Sequence, residues 1–250
     1  MRHDFSDYAS IYSVFDDSTC TLEVSPDTVI TESPIRRLGA MRELFVNAHG
    51  YDDALPLYYM YNGIYRQAHK AFFAAHNIKY EYTVLLTTRI NGECIKAHGH
   101  IHGIHPIKKV RHQEAYEILY GEGYFELFKY VDSTIQVVLI KLKQGDFVTI
   151  PPDYYHLSIN TGNVPFIFGD LIINDAESDY SHLKVKKGAP LYVFKDEAGT
   201  LDFQLNPNYL DHTVKITHVT AETCPWPTQL VKIPLYAHFI THPERFEFLK

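Results

Sequence analysis

Cysteine is scarce in this chain. Cys20, Cys94 and Cys224 are odd in number and far apart, which leaves neither a disulfide framework nor zinc-finger spacing. No run reaches the roughly 18 uninterrupted apolar residues of a membrane-crossing helix, and the opening MRHDFSDYAS has no apolar signal core. Both absences predict a soluble protein of the reducing cytoplasm with no membrane partner. A basic stripe is also missing. With 30 acidic and 23 basic residues the formal charge is -7, so nucleic acid is a poor partner. No Gly-rich nucleotide loop is present either, which argues against ATP-dependent transfer.

What the chain does contain is material for a core. Its 250 residues are 46% hydrophobic and 14% aromatic, enough for one large domain with extensions and too apolar for general disorder. The 19 Tyr and 15 Phe fall largely in short alternating runs, which favours strands over a helical bundle.

Residues 1 to 34 read as an arm with short strands. A helix is predicted from SPIRRLGAMRELF, with Ser33 as cap, Pro34 in its first turn, and Ile35, Leu38, Met41, Leu44 and Phe45 on the apolar face. LPLYYMYNG reads as a strand and YRQAHKAFFAAHN as a helix, its His69 and His76 serving packing or surface roles. From residue 78 to 180, apolar runs such as ECIKAHGHIH, AYEILYGEG, YFELFKYV, IQVVLIKLKQGD and VPFIFGDLII are separated by Gly-rich turns. Many short strands joined in this way predict an all-β sandwich or barrel with antiparallel connections. APLYVF, LDFQL, VKITHV and LVKIPLYAHF read as further strands, NPNYLDH as a turn and CPWPTQ as an extended piece. This tail is expected to elaborate the same domain, so residues 1–250 form one unit.

Chemistry concentrates in two places. His100 and His102 precede Glu114, and His156 follows GDFVTIPPDYY about forty residues later. Imidazoles two apart on a strand face one way, and the rigid Pro151-Pro152 pair fixes where the next strand begins, so His156 can be aimed at the same hollow. Three nitrogens and one oxygen suit a divalent first-row ion with open positions, without distinguishing Fe, Mn, Ni or Zn. Glu117 is three residues beyond Glu114, yet on a strand the two face opposite sides and form no catalytic pair. Asn160 suits a turn, while His98 and His105 suit solvated or supporting positions. Lys108, Lys109, Arg111 and His112 form either a solvated loop or a lure for an anionic substrate.

GHIH…EAYEILYGEG and GDFVTIPPDYYHLSINTGNVPFIF resemble the two motifs of the cupin superfamily. Together with IRRLGAMRELFV, YTVLL and DAESDY, over roughly residues 35 to 180, the chain is similar to the cupin-type glucose-6-phosphate isomerases of archaea and some bacteria. The resemblance implies a cupin-type double-stranded β-helix, a jelly-roll barrel with a short N-terminal helix and additional C-terminal strands, its core spanning 78–180. It implies His100, His102, Glu114 and His156 as metal ligands, with Fe²⁺ or Mn²⁺ leading and Zn²⁺ or Ni²⁺ open. It places Tyr116 beside the sugar with Glu114 as the catalytic carboxylate, Thr83 near the phosphate, Gly99 presenting substrate-facing backbone, and Tyr180 in the pocket. Lys108 and Lys109 are further phosphate candidates. A homodimer is also implied.

This chain departs from the family pattern at Ala97, where a Thr is common, at Ile172 and Ser178, where Tyr and His occur, and in the long loop GIHPIKKVRH. The expected reaction is metal-dependent interconversion of glucose 6-phosphate and fructose 6-phosphate, by proton transfer through Glu114 or by hydride movement between C1 and C2. A cupin oxygenase and a non-catalytic sugar-phosphate-binding cupin are the alternatives.

Overall fold

The computed structural model describes residues 1–226 and 233–250. A seven-stranded sheet runs in the order Phe147–Ile150, Glu114–Tyr120, Phe166–Ile173, Ile78–Leu85, Pro56–Arg66 and Thr28–Glu32, with Ile35–Arg37 also on the Pro56–Arg66 strand. Facing it is a four-stranded sheet ordered Tyr155–Asn160, Glu122–Val131, Thr134–Lys143 and Thr213–Thr220. The last pair is parallel and its other neighbours are antiparallel. Gly121 alone links Glu114–Tyr120 to Glu122–Val131 and carries the chain from one sheet to the other. Its φ is +76°, and a Cβ there would lie 2.4 Å from the Pro165 carbonyl oxygen, so only glycine fits.

Period-two alternation divides the large sheet into two faces. Tyr116, Ile118, Phe166, Phe168, Leu85 and Tyr58 turn inward to meet Phe125, Leu127, Val138 and Ile140 of the smaller sheet, forming the central core. Ala115, Leu119, Tyr80, Tyr82, Val84, Ile167 and Leu171 turn outward. Phe5 and Phe15 from the start of the chain, and Leu235, Phe239 and Phe246 from its end, cover that outer face. Leu191, Val193 and Tyr209 likewise cover the outer face of the smaller sheet, against Phe128, Leu139 and Leu157. The segments flanking the motifs thus bury apolar faces that the two facing sheets would otherwise expose to water.

Two predicted elements take other forms. Ile35–Arg37 is a strand, and Leu38–Ala40 and Arg42–Leu44 are single 3-10 turns in place of the short N-terminal helix. Pairing of Ile35 with Tyr59 captures the start of the segment as an edge strand. Leu38, Met41 and Leu44 repeat every three residues, which a 3-10 path aligns as well as an α-helix does, and all three are buried. LVKIPLYAHF holds the helix Leu235–Thr241 where a strand was expected, with its first residues outside the described part. Pro234 suits the position just before a helix, and Leu235, Tyr236, His238 and Phe239 fill one buried side of it. CPWPTQ is described only as far as Trp226. The helix in YRQAHKAFFAAHN is present as Lys70–His76, with His69 hydrogen-bonded to the Tyr236 hydroxyl at 2.8 Å and His76 packed on Phe72 and Phe239.

Strand parity also sends Glu117 away from Glu114. Its Oε1 accepts the Tyr80 hydroxyl at 2.6 Å and its Oε2 accepts the Leu235 N–H at 2.7 Å, tying the C-terminal helix to the sheet. Burial pushes its carboxyl up to about 8 despite these bonds. Between its ordinary 4.5 and about 8, the folded state keeps a proton that the unfolded chain has lost. Stability from this group is therefore full at low pH and falls as pH rises through that window, by at most about 1.4 kcal/mol per pH unit. Glu117→Gln is expected to flatten this part of the curve in denaturant unfolding between pH 5 and pH 8, relative to the parent. An unchanged slope rules out Glu117 as its source.

Candidate metal centre

His100, His102, Glu114 and His156 converge. One ligand atom from each lies within 4.8 Å of all the others. Each arrives by a different route. His100 and His156 exchange main-chain hydrogen bonds of 3.1 and 2.9 Å, which locks the histidine-rich segment against the strand Tyr155–Asn160. His102 lies on Ile101–His102, paired with Ser178–Asp179, and Glu114 opens Glu114–Tyr120 opposite Ile150. The segment before them is not one continuous strand, because Gly99 has φ +74° and a Cβ there would come 2.6 Å from Leu183. That kink keeps the backbone of Gly99 against the cavity.

The imidazoles are oriented from behind. His102 Nδ1–H donates to the His112 carbonyl at 3.0 Å and His156 Nδ1–H donates to the Tyr154 carbonyl at 3.5 Å, which leaves both Nε2 lone pairs facing the cluster. His102 Nε2 lies 3.2 Å and His156 Nε2 3.3 Å from Glu114 Oε2, and the Nε2 atoms of His100 and His102 are 3.1 Å apart. Ligands about 2.1 Å from one ion and at right angles around it are about 3.0 Å apart, so the spacing suits adjacent positions of an octahedron. Buried Glu114 Oε2 and His156 Nε2 have no protein hydrogen-bond partner, which is costly unless a cation satisfies them. The donor set fits a divalent ion.

Electrostatics point the same way. Burial, reinforced by the neighbouring imidazoles, holds His100 well below its ordinary pKa, and burial also lowers His156. Burial alone pushes Glu114 up, but the contacts from His102 and His156 outweigh it and hold the carboxyl well below its usual range. Neutral imidazoles beside a carboxylate are the protonation states that bind metal. Tyr116 is pushed well above 10 by burial and by the charge of Glu114, so its hydroxyl stays a donor.

The cluster lies at one side of a cavity of about 90 Å³ whose lining includes Thr83, Gly99, His100, Tyr116, His156 and Tyr180. Tyr180 packs edge-on against His98 at 4.7 Å between ring centroids, so the solvated or supporting position expected for His98 becomes a buried one on the cavity wall. Thr83 faces Met60 on one neighbouring strand and Phe168 on the other. Lys108 and Lys109 are not brought to this cavity. They sit in the exposed loop after His102, where Lys108 Nζ meets the carbonyl of Lys250. His105 is half-buried in that same loop, its Nδ1 accepting the N–H groups of Ile107 and Lys108 at 3.1 Å. Asn160 takes its turn role, donating to the carbonyls of Leu86 and Val164 at 2.9 and 3.0 Å.

Sequence reasoning missed two residues. Asp170 interrupts the apolar run VPFIFGDLII, and burial together with the charges of Glu114 and Glu81 pushes its carboxyl well above the usual range. A lone charge in a buried strand was the available signal. Arg36 also lines the cavity. On a helix it would have pointed to solvent, whereas on an edge strand it pairs with Tyr58 in register and shares its inward face.

Two facing sheets with a His/Glu cluster at one end of the hollow between them define a cupin with a candidate metal centre. Residues 38–210 match the family model described as glucose-6-phosphate isomerase (GPI), and the chain belongs to that family. A glucose-6-phosphate isomerase of Thermococcus gammatolerans is 27% identical over 178 residues, covering 70% of this chain and 86% of the relative. One from Thermococcus litoralis is 26% identical over 179 residues, with the same coverage of 70% and 86%. Among solved structures, a cupin 2 conserved barrel domain protein from Rhodopseudomonas palustris is similar at 16% identity and a TM-score of 0.33, over 48% of this chain and 63% of that one.

Proposed function

We propose that this protein is a metal-dependent aldose–ketose isomerase that interconverts glucose 6-phosphate and fructose 6-phosphate. The observation that carries this reading is the convergence of His100, His102, Glu114 and His156 beside a cavity that His100 and His156 help to line, in a chain of this family. These four residues would hold Fe²⁺ or Mn²⁺, and the bound ion would supply polarisation of the sugar carbonyl. The open-chain substrate would enter the cavity with C1 and C2 toward the cluster and its phosphate toward Thr83 and the Gly99 backbone, so remote binding orients the reacting end.

Glu114 is the group proposed to take the C2 proton and return it at C1, and the neutral Tyr116 hydroxyl is proposed to donate to the sugar beside it. Tyr180, packed edge-on against His98, would close the wall over the substrate. The alternative in which hydrogen passes directly from carbon to carbon uses the same positions and differs only in what Glu114 does.

Metal-stripped protein is expected to regain conversion of fructose 6-phosphate to glucose 6-phosphate on addition of Fe²⁺ or Mn²⁺, followed through a coupled glucose-6-phosphate dehydrogenase assay. Silence with Fe²⁺, Mn²⁺, Ni²⁺ and Zn²⁺ alike would exclude the isomerase. Oxygen consumption by the loaded protein would favour a cupin oxygenase, and tight sugar-phosphate binding without turnover a binding protein.

A further inference from the structure

The cavity carries one cationic side chain, hydrogen-bonded to the Tyr58 hydroxyl but with no carboxylate partner among the described residues. Arg36 is the only Lys or Arg in its described lining. The two consecutive arginines of the Ile35–Arg37 strand diverge by parity: Arg37 turns outward and donates to the Ala54 carbonyl at 2.6 Å, while Arg36 turns in. Arg36 makes no ion pair among the described residues, and its Nε is sealed from solvent without a hydrogen-bond partner. A guanidinium held inside a cavity with an unused donor is costly until an anion arrives, and its planar fork matches the oxygens of a phosphate.

Its neighbours form one end of the hollow. Arg36 lies opposite Tyr58, whose hydroxyl accepts the His98 N–H at 3.2 Å, and the next inward row is Met60 opposite Thr83. The Gly99 backbone lines the same cavity, and Ala97 offers it no hydroxyl.

We infer that Arg36 is the phosphate-binding cation of this site, giving the cavity its preference for a phosphorylated over a neutral sugar; this rests on the isomerase reading of the cavity. The phosphate group is thereby drawn to the Arg36–Thr83 side of the hollow, and the loop lysines take no part in holding it.

The test is isothermal titration of the metal-loaded protein and its Arg36→Gln and Arg36→Lys variants with glucose 6-phosphate, with inorganic phosphate, and with acetohydroxamate, which addresses the metal and carries no phosphate. Metal content and fold are checked by elemental analysis and circular dichroism. Arg36→Gln is expected to weaken glucose 6-phosphate and inorganic phosphate by about 10- to 100-fold and acetohydroxamate by less than about twofold, with Arg36→Lys recovering part of the loss. Phosphate ligands bound within about twofold of the parent by Arg36→Gln, or an equal loss for acetohydroxamate, overturn the inference. If the parent isomerises no sugar phosphate, the isomerase reading fails by itself. Loss of inorganic phosphate binding in Arg36→Gln would then still identify Arg36 as the anion site.

Discussion

Replacing His156 with alanine is expected to empty the metal centre, taking bound iron or manganese from near one equivalent to near none after dialysis against buffer. Loss of a group that merely supports a metal ligand typically costs 10- to 100-fold in affinity, so removal of a ligand is expected to exceed about 100-fold. The main-chain bonds between His156 and His100 survive the substitution, because they use backbone atoms. The strand Tyr155–Asn160 therefore stays in register with Glu122–Val131, and circular dichroism should remain that of the parent. What is lost is the Nε2 lone pair 3.3 Å from Glu114 Oε2. The carboxylate keeps His102 as its only imidazole contact, and isomerase turnover should fall with the metal. Full metal occupancy in the folded variant rejects the ligand role.

Glu114→Gln separates the two roles proposed for that carboxylate. The amide keeps the volume and one carbonyl oxygen, while removing the negative charge that His102 and His156 stabilise. If Glu114 transfers the proton, turnover should drop by about 100- to 10,000-fold even in protein reloaded to full metal content, because a general base is gone. Isomerisation run in deuterium oxide gives the complementary reading: proton transfer through Glu114 brings solvent deuterium into the product, and direct hydrogen passage does not. Near-normal kinetics with full metal removes Glu114 as an essential base and leaves it a ligand alone. Asp170 enters this result as well. Its buried carboxyl interacts with Glu114, so a glutamine must find a new arrangement with it, and the metal measurement has to accompany the kinetics.

Local signals made much of this molecule legible. The Gly-punctuated apolar runs between residues 114 and 173 became strands because period-two alternation and turn chemistry act within a few residues of one another. The opposite orientations of Glu114 and Glu117 followed from the same parity. The converging His/Glu set was legible because its members stand at fixed distances from recognisable turns. Arg36 was not, since its direction depends on whether Ile35–Arg37 pairs with a strand twenty residues away, and a three-residue apolar repeat suits a helix and a 3-10 path alike. The helix Leu235–Thr241 was hidden for a related reason: aromatic residues favour strands in isolation, while its docking onto Glu117 and the outer sheet face settles the matter.

Sequence by itself therefore determined the all-β class, the parity of each long strand and which His and Glu residues converge, because these are written in spacing and side-chain chemistry. Only the tertiary structure decided which side chains share the hollow. It excluded Lys108 and Lys109, admitted Arg36 and buried His98 in the wall, because membership of a cavity is fixed by pairing between segments distant in the chain and not by the residues on either side.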